Sequence, residues 1–213
     1  MVKFRAGFLT LSFVALMAGS AIAGNLYDNG PEDRQNIGWT INFGFTVSDS
    51  MMVSGTVQGL DFWVDALPGD TISNVQMLIG SAPFGSEVFN GIVSLTQSDC
   101  AANEYGYNVC LEAGSFSGPT LNGNYWLTLS NANVPSGDPV YWNENSGIGC
   151  MSPGCPSEAQ ENTLGTIPSE AFTVVGTQST TTSSTGTTPE PGSILLLGSG
   201  VMGVLVMLRR KIG

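Results

Sequence analysis

The sequence predicts an all-β protein, an antiparallel β-sandwich of the jelly-roll type, flanked by a signal peptide and a single transmembrane helix. Three observations support this fold class. Apolar and polar residues alternate with a period of two, which is typical of strands with one buried face. Turn sequences rich in glycine, proline and asparagine interrupt the chain at short intervals. The central region contains no sustained apolar repeat of 3.6 residues, so no long helix is predicted there.

The first segment has the pattern of a secretory signal peptide, predicted over residues 1–23. Lys3 and Arg5 precede an apolar run at 6–18, and Ala21 and Ala23 provide the small residues of a cleavage site. Cleavage is therefore expected after Ala23. An uncleaved N-terminal membrane helix is the alternative, and the cleavage pattern argues against it.

The strongest strand pattern covers residues 37–47. Its apolar positions are Ile37, Trp39, Ile41, Phe43, Phe45 and Val47. Further strands are predicted at 52–57, 60–64, 73–79, 91–96, 107–111, 125–129, 139–142 and 171–175. Turn sequences separate them at 67–70, 81–85, 118–120, 122–124 and 135–139. One short helical turn is considered at 158–162.

The region between the two ends is predicted to form one domain, residues 24–176, long enough for a single hydrophobic core. From residue 24 to residue 188 the chain holds sixteen of its seventeen acidic residues and one basic residue, Arg34, a net charge of −15. Such a surface repels nucleic acid, which is excluded as a partner. The acidic side chains are predicted to form a surface that keeps the domain soluble, and no cofactor is predicted. Calcium binding by these side chains is the alternative.

Four cysteines are predicted to form two local disulfides, because an exported domain folds in an oxidising compartment. Four cysteines allow three connectivities. Pairing Cys100 with Cys110 and Cys150 with Cys155 is preferred, since each bond would close a polar loop. A zinc site is disfavoured, because neither spacing is C-x-x-C and the chain has no histidine.

The absence of histidine also limits the catalytic chemistry. A Ser-His-Asp triad and a Cys-His pair cannot be assembled. Carboxylate chemistry remains possible. Asp61, Asp65 and Glu144 lie near aromatic residues, so two of them could form the carboxylate pair that a glycosidase needs. A chain this acidic contains many such pairs by composition alone. The sequence therefore predicts no enzyme activity and no catalytic residue, and a carboxylate-based glycoside hydrolase is the weakest alternative.

One cluster has the residue types of a sugar-binding surface: Asp138, Tyr141, Trp142 and Glu144. Aromatic rings stack on sugar rings, while carboxylates and amides accept hydrogen bonds from hydroxyl groups. The same oxygens could bind calcium, although their spacing is not that of an EF-hand. The alternative is structural, with Tyr141 or Trp142 in the core and the polar residues in a loop leading to Cys150.

The last part of the chain reads as a linker and a membrane tail. Residues 177–188 are rich in threonine and serine and predict a flexible linker. Pro189, Glu190 and Pro191 follow, and then an uncharged apolar run at 192–208, about 25 Å long as a helix. The cations Arg209, Arg210 and Lys211 close the run and are expected to stay on the cytoplasmic side.

The order of these parts in residues 189–213 resembles the PEP-CTERM sorting signal of Gram-negative bacteria. The resemblance implies recognition by an exosortase, a membrane enzyme to which cutting or transfer near the triplet is ascribed. It also implies a transient stay in the inner membrane before the protein reaches the cell surface or extracellular matrix. The segment 123–129 is similar to a G-x-Y-W-L-x-L strand of secreted bacterial sandwich domains, which usually places its Tyr and Leu in the core.

The leading expectation is therefore an exported, non-catalytic protein of the cell surface or matrix. Family resemblance associates such proteins with bacteria that make exopolysaccharide. A carbohydrate-binding module, with or without calcium, is the second hypothesis. Extracellular polysaccharide is the partner that both hypotheses share.

Overall fold

The computed structural model describes residues 23–35 and 38–179 of the chain. This part contains strands and turns and no α-helix. None of its segments is a helix with the length and apolar character needed to cross a membrane. The strands are β1 (Gly24–Asp28), β2 (Trp39–Thr40), β3 (Thr46–Ala66), β4 (Asn74–Gly80), β5 (Phe89–Ser94), β6 (Thr96–Ala102), β7 (Asn108–Ser115), β8 (Thr120–Asn133), β9 (Tyr141–Trp142), β10 (Ala159–Glu161), β11 (Gly165–Ile167) and β12 (Phe172–Gln178).

All strand pairs are antiparallel, and hydrogen bonds join the strands into one branched network with the order β1-β12-β3-β8-β4-β5. The 21-residue strand β3 organises it. One edge of β3 pairs with β10, β12 and β9 in turn, and the opposite edge pairs with β8 and then β7. The all-β, antiparallel prediction is confirmed, whereas the two-layer jelly-roll arrangement stays a prediction.

A β-bulge explains why β3 reads as two strands in the sequence. Odd-numbered residues such as Met51 and Val53 are buried in its first half, and even-numbered residues such as Phe62 and Val64 in its second half. Opposite β12 the register shifts between Val57 and Gly59, so that one extra residue lies in β3. A bulge of this kind reverses the alternation without ending the strand.

The core is a single cluster that includes side chains from both ends of the network. Tyr27 of β1 and Val93 of β5 belong to it, although these two strands are the termini of the pairing order. The sheet therefore curves around one shared core, as a 150-residue domain requires to bury enough apolar surface.

The predicted strand at 37–47 is wrong over most of its length. Trp39 and Thr40 pair with β9, and Thr46 and Val47 begin β3, but residues 41–45 between them form no strand, and Ile37 lies outside the described part. The chain then turns, with positive φ angles of 55° at Phe43 and 88° at Gly44. Apolar alternation continues through this turn, but Phe43 is 63% exposed, so the pattern does not mark a buried face.

Several other features differ from the sequence-based prediction. The turn predicted at 122–124 lies inside β8, and residues 159–161 of the segment considered as a helical turn form the strand β10. Strands β1 and β6 were not expected, because their alternation is weak. Strand β12 continues through Gln178, so the first two residues of the predicted linker pair with Thr56 and Gly55 of β3.

Both preferred disulfides are present, which confirms the local pairing. Cys100–Cys110 links β6 to β7, and Cys150–Cys155 closes the loop that leads to β10. The described part of the chain has no free cysteine. The signal peptide up to residue 22, the linker after residue 179, the Pro-Glu-Pro triplet, the apolar run and the basic triplet all lie outside the described residues.

Candidate functional site

The predicted ligand-binding cluster at 138–144 lies around β9, and its central aromatic residue faces the core. Trp142 is 0% exposed, and its ring packs edge-on against Phe62 and Phe172, with centroid distances of 6.2 and 5.5 Å. Its indole Nε1–H donates a hydrogen bond to the carbonyl oxygen of Ala171 at 3.1 Å. A buried ring cannot stack on a sugar, so the prediction that Trp142 binds ligand is wrong.

The other three members of this cluster are partly exposed and do not form one binding face. Tyr141 faces away from the core and packs edge-on against Tyr107, with ring centroids 5.6 Å apart. Strand alternation puts Glu144 on the opposite side, where its Oε1 accepts a hydrogen bond from Trp39 Nε1–H at 3.1 Å. Asp138 lies before β9, in the loop that follows β8. The cluster is therefore divided between the two sides of β9.

Two of the carboxylates considered for a glycosidase pair lie along β3. Asp61 and Asp65 are four residues apart, about 13 Å in an extended strand, which exceeds the separation such pairs use. Asp65 is buried, and its carboxylate accepts hydrogen bonds from Asn143 Nδ2 at 2.8 Å, Asn103 Nδ2 at 3.0 Å and the Gly38 N–H at 3.2 Å. Burial raises the pKa of Asp65, and these bonds oppose the rise. Its contacts are those of a residue that holds three segments together.

A third carboxylate, Asp49, lies at the centre of a buried polar network on the core side of β3. Its Oδ2 accepts hydrogen bonds from the Glu170 N–H at 2.7 Å and from the Ser169 hydroxyl at 3.2 Å, and its Oδ1 accepts one from the Ser157 hydroxyl. Burial raises the pKa of Asp49 to about 7, although the hydrogen bonds lower it. The network joins β3 to the segments before β10 and β12.

Two buried glutamates have no hydrogen-bond partner on either carboxyl oxygen: Glu112 of β7 and Glu170 before β12. Burial raises the pKa of Glu112 to about 8. Burial, reinforced by the negative charge of Asp49, raises the pKa of Glu170 well above its ordinary value. In both glutamates, burial therefore favours the neutral form. The sequence did not reveal them, because an isolated glutamate in a strand normally indicates an exposed position.

Metal binding has no preformed site in the part of the chain that the structure describes. No group of three or more acidic or cysteine side chains there has a geometry that could hold a metal ion. The calcium hypothesis consequently stays a prediction about the acidic surface.

A groove of about 480 Å³ lies on the outer side of the β3–β8 pair, and we call it the Trp126 groove. In this pair Ser50 lies opposite Trp126, and Met52 lies opposite Asn124. Because paired residues share a face, these four side chains form the floor. The lining residues are Ser50, Met51, Met52, Asn124, Tyr125, Trp126, Gly154, Pro156 and Glu158.

The segment after the second disulfide forms one wall of the Trp126 groove. Glu158 and Ser50 exchange two hydrogen bonds there: the Glu158 N–H donates to Ser50 Oγ at 3.0 Å, and the Ser50 N–H donates to the Glu158 carbonyl at 2.9 Å. Ser48, two residues before Ser50 in β3, is buried and accepts a hydrogen bond from the Phe84 N–H at 3.3 Å. The loop that contains Phe84 thus contacts β3 at Ser48, beyond the Ser50 end of the groove, and the exposed face continues in the opposite direction along β3 and β8.

A second groove of about 420 Å³ lies at the other end of β8, and we call it the Phe43 groove. It is lined by Asn42, Phe43, Asn131, Ala132, Asn133, Val134 and Gly137. Phe43 is exposed in a left-handed backbone conformation that bulky residues rarely adopt. The Phe43 groove therefore presents an aromatic ring and amide groups, as the Trp126 groove does.

The outward position of Trp126 follows from the alternation within residues 123–129. The 123–129 segment was expected to place its Tyr and Leu in the core, and Leu127 and Leu129 are buried there with Tyr125 packed against them. Strand alternation then requires Trp126 to face the opposite side. Alternation with a buried face thus predicts a ring on the outer face, and Trp126 is partly exposed there.

Comparison with known protein families gives one match, the PEP-CTERM protein-sorting motif, at residues 187–211. No curated protein and no solved structure matches the chain. The match lies outside the described residues and supports export, through a membrane-associated step and processing by an exosortase, to the cell surface. The chain thus carries a PEP-CTERM sorting motif, and the match covers residues 187–211.

Proposed function

We propose that the chain is a non-catalytic protein of the cell surface or extracellular matrix that associates with exopolysaccharide. The observation that carries the proposal is the sorting motif at 187–211, which addresses the attached domain to the outside of the cell. Two disulfides in that domain suit an oxidising compartment. We also propose that residues 1–23 are removed as a signal peptide and that 192–208 form a transient inner-membrane helix.

A structural or binding role is favoured over catalysis by the arrangement of the described carboxylates. Asp49 and Asp65 are buried and occupied by hydrogen bonds, and Glu112 and Glu170 are buried with raised pKa values. Inverting and retaining glycosidases instead need two carboxyl groups that face a shared, sugar-sized cleft. The exposed grooves offer aromatic rings and amides, which favours carbohydrate binding as the second function. Calcium would then act at the acidic surface as an auxiliary ion.

Processing of the tail gives the most direct test of the proposed sorting. The protein recovered from its host is expected to lack residues 209–213, because the exosortase acts near the Pro-Glu-Pro triplet. Intact-mass spectrometry of the protein from the cell-surface fraction measures this directly. The matched control replaces Pro189, Glu190 and Pro191 with alanine, and this variant is expected to keep its basic tail in the membrane fraction. A surface-fraction mass that includes the basic tail in the unaltered protein would contradict processing.

A further inference from the structure

We propose that the Trp126 groove is a binding site for a linear, uncharged polysaccharide. The proposal rests on the proposed function and deepens it, because it names the site and the chemical class of the polymer. Four features carry it: an aromatic floor, hydrogen-bonding walls, a polar track that continues from the groove, and a negative charge without a nearby cation.

The aromatic floor is built by strand pairing. Trp126 lies between Ser50 of β3 and Gly80 of β4 on its two neighbouring strands, so neither partner position carries a large side chain. Met52, on the same face, is 46% exposed. The C–H groups on one face of a sugar ring pack against an indole in the same way that apolar groups do. The floor therefore suits a sugar ring with a neutral, apolar face.

The walls and margins supply groups that bond to hydroxyls. Asn124 and Glu158 are exposed at the groove, and their amide and carboxylate oxygens accept hydrogen bonds. The Ser50 hydroxyl is held by the Glu158 N–H, which fixes its position on the floor. A few polar groups at fixed positions around an apolar contact are typical of small-molecule and sugar sites.

A polar track continues from the open end of the groove along β3 and β8. Ser54 lies opposite Asn122, and Thr56 lies opposite Thr120 on the same face as Trp126. The hydroxyl groups of Thr56 and Thr120 are 2.7 Å apart. From Ser50 to Thr56 the face is about 20 Å long, which exceeds one sugar ring and suits several units of a linear chain.

The charge around the groove selects an uncharged polymer. Glu158 is the ionisable residue in the lining. Arg34 is the single basic residue between positions 23 and 179, and its Nε is paired with Glu32 Oε1 at 2.7 Å. With sixteen acidic residues in the exported region, an anionic polymer is repelled and meets no cation in the groove. A neutral polymer is not subject to this electrostatic repulsion.

The test uses the mature protein, purified in oxidised form from the host that exports it. Polysaccharide extracted from the same host is separated by anion exchange into a neutral and an acidic fraction, and each is titrated at low and physiological salt. The neutral fraction is expected to bind, and Trp126→Ala is expected to weaken binding about tenfold or more. Trp126→Phe should restore most of the affinity, and Asn124→Ala, at an exposed position, should weaken binding without affecting folding.

One matched control separates the groove from exposed rings elsewhere. Tyr105→Ala removes an aromatic residue that is 51% exposed at a distant turn. This variant is expected to leave the affinity unchanged. Binding that survives Trp126→Ala and Asn124→Ala, or that is confined to the acidic fraction, would overturn this inference but leave the proposed function intact. Absence of binding to either fraction would contradict both.

Discussion

Replacing Trp142 with alanine is expected to lower the free energy of unfolding by about 3–5 kcal/mol, the cost of truncating a fully buried aromatic side chain. The substitution removes edge-on contacts with Phe62 and Phe172 and leaves the Ala171 carbonyl without its indole donor. Chemical denaturation of the oxidised protein at one fixed pH measures the change. Fluorescence is an unsuitable sole probe, because tryptophan itself is altered, so circular dichroism should accompany it.

Trp126→Ala is the matched control for this prediction. Trp126 is a tryptophan on the outer face of β8, and its truncation is expected to cost less than half as much stability as that of Trp142. If the two variants lost equal stability, the assignment of one ring to the core and the other to the surface would be wrong. Comparing Trp142→Ala with Trp126→Ala also helps to interpret the binding test, because a loss of sugar affinity in Trp142→Ala would result from unfolding.

The second large effect is a loss of stability as pH rises, caused in part by Glu112. The folded protein keeps Glu112 neutral to about pH 8, whereas an unfolded chain ionises it near the ordinary value of 4.5. Because its folded pKa is raised, its contribution to stability is complete below about pH 4.5 and is lost progressively up to about pH 8. Asp49, with a folded pKa of about 7, acts in the same direction.

Glu112→Gln removes the ionisable group and keeps the shape of the side chain. At pH 4.5 the variant and the unaltered protein should differ little, since both side chains are neutral. By pH 8 the variant is expected to be relatively more stable, by a difference on the order of 3 kcal/mol. Denaturation curves at several pH values measure this relative gain. Glu104→Gln, at an exposed turn, is the control and should shift stability by less than about 0.5 kcal/mol at either pH.

A relative gain for Glu112→Gln that did not change with pH would contradict the burial of an unpaired carboxyl at this position. Glu170 is also buried without a hydrogen-bond partner on its carboxyl oxygens, and its pKa is raised in the same direction. A double variant therefore tests whether the two effects on stability add.

The strand content of the domain could be predicted from alternation, but the strand boundaries could not. Alternation identified the strands around Met77, Leu111 and Leu127, because apolar residues recur there at every second position of the sequence. It failed at Phe43, where apolar residues continue through a turn whose left-handed backbone only the folded chain reveals. It also divided β3 in two, because a bulge opposite β12 reverses the alternation.

The local disulfides were predictable, since short sequence separations favour local pairing, and both were found. The candidate binding site was not predicted. Tyr141 and Trp142 have sugar-binding chemistry in the sequence, but which face of β9 is buried depends on Val64 and Phe172, which are distant along the chain. The Trp126 groove depends on a wall from the 154–158 segment, whose place beside Ser50 is set by tertiary hydrogen bonds.

The central claim is that this acidic all-β domain is exported through its tail and retained outside the cell by polysaccharide. It is tested most directly by locating the protein in fractions of two host cultures, one that makes exopolysaccharide and one in which its synthesis is blocked. We predict tail-processed protein in the surface polymer fraction of the first culture and its release into the medium of the second. Protein that kept its basic tail in the inner membrane of both cultures, or that was distributed identically in both, would contradict the claim.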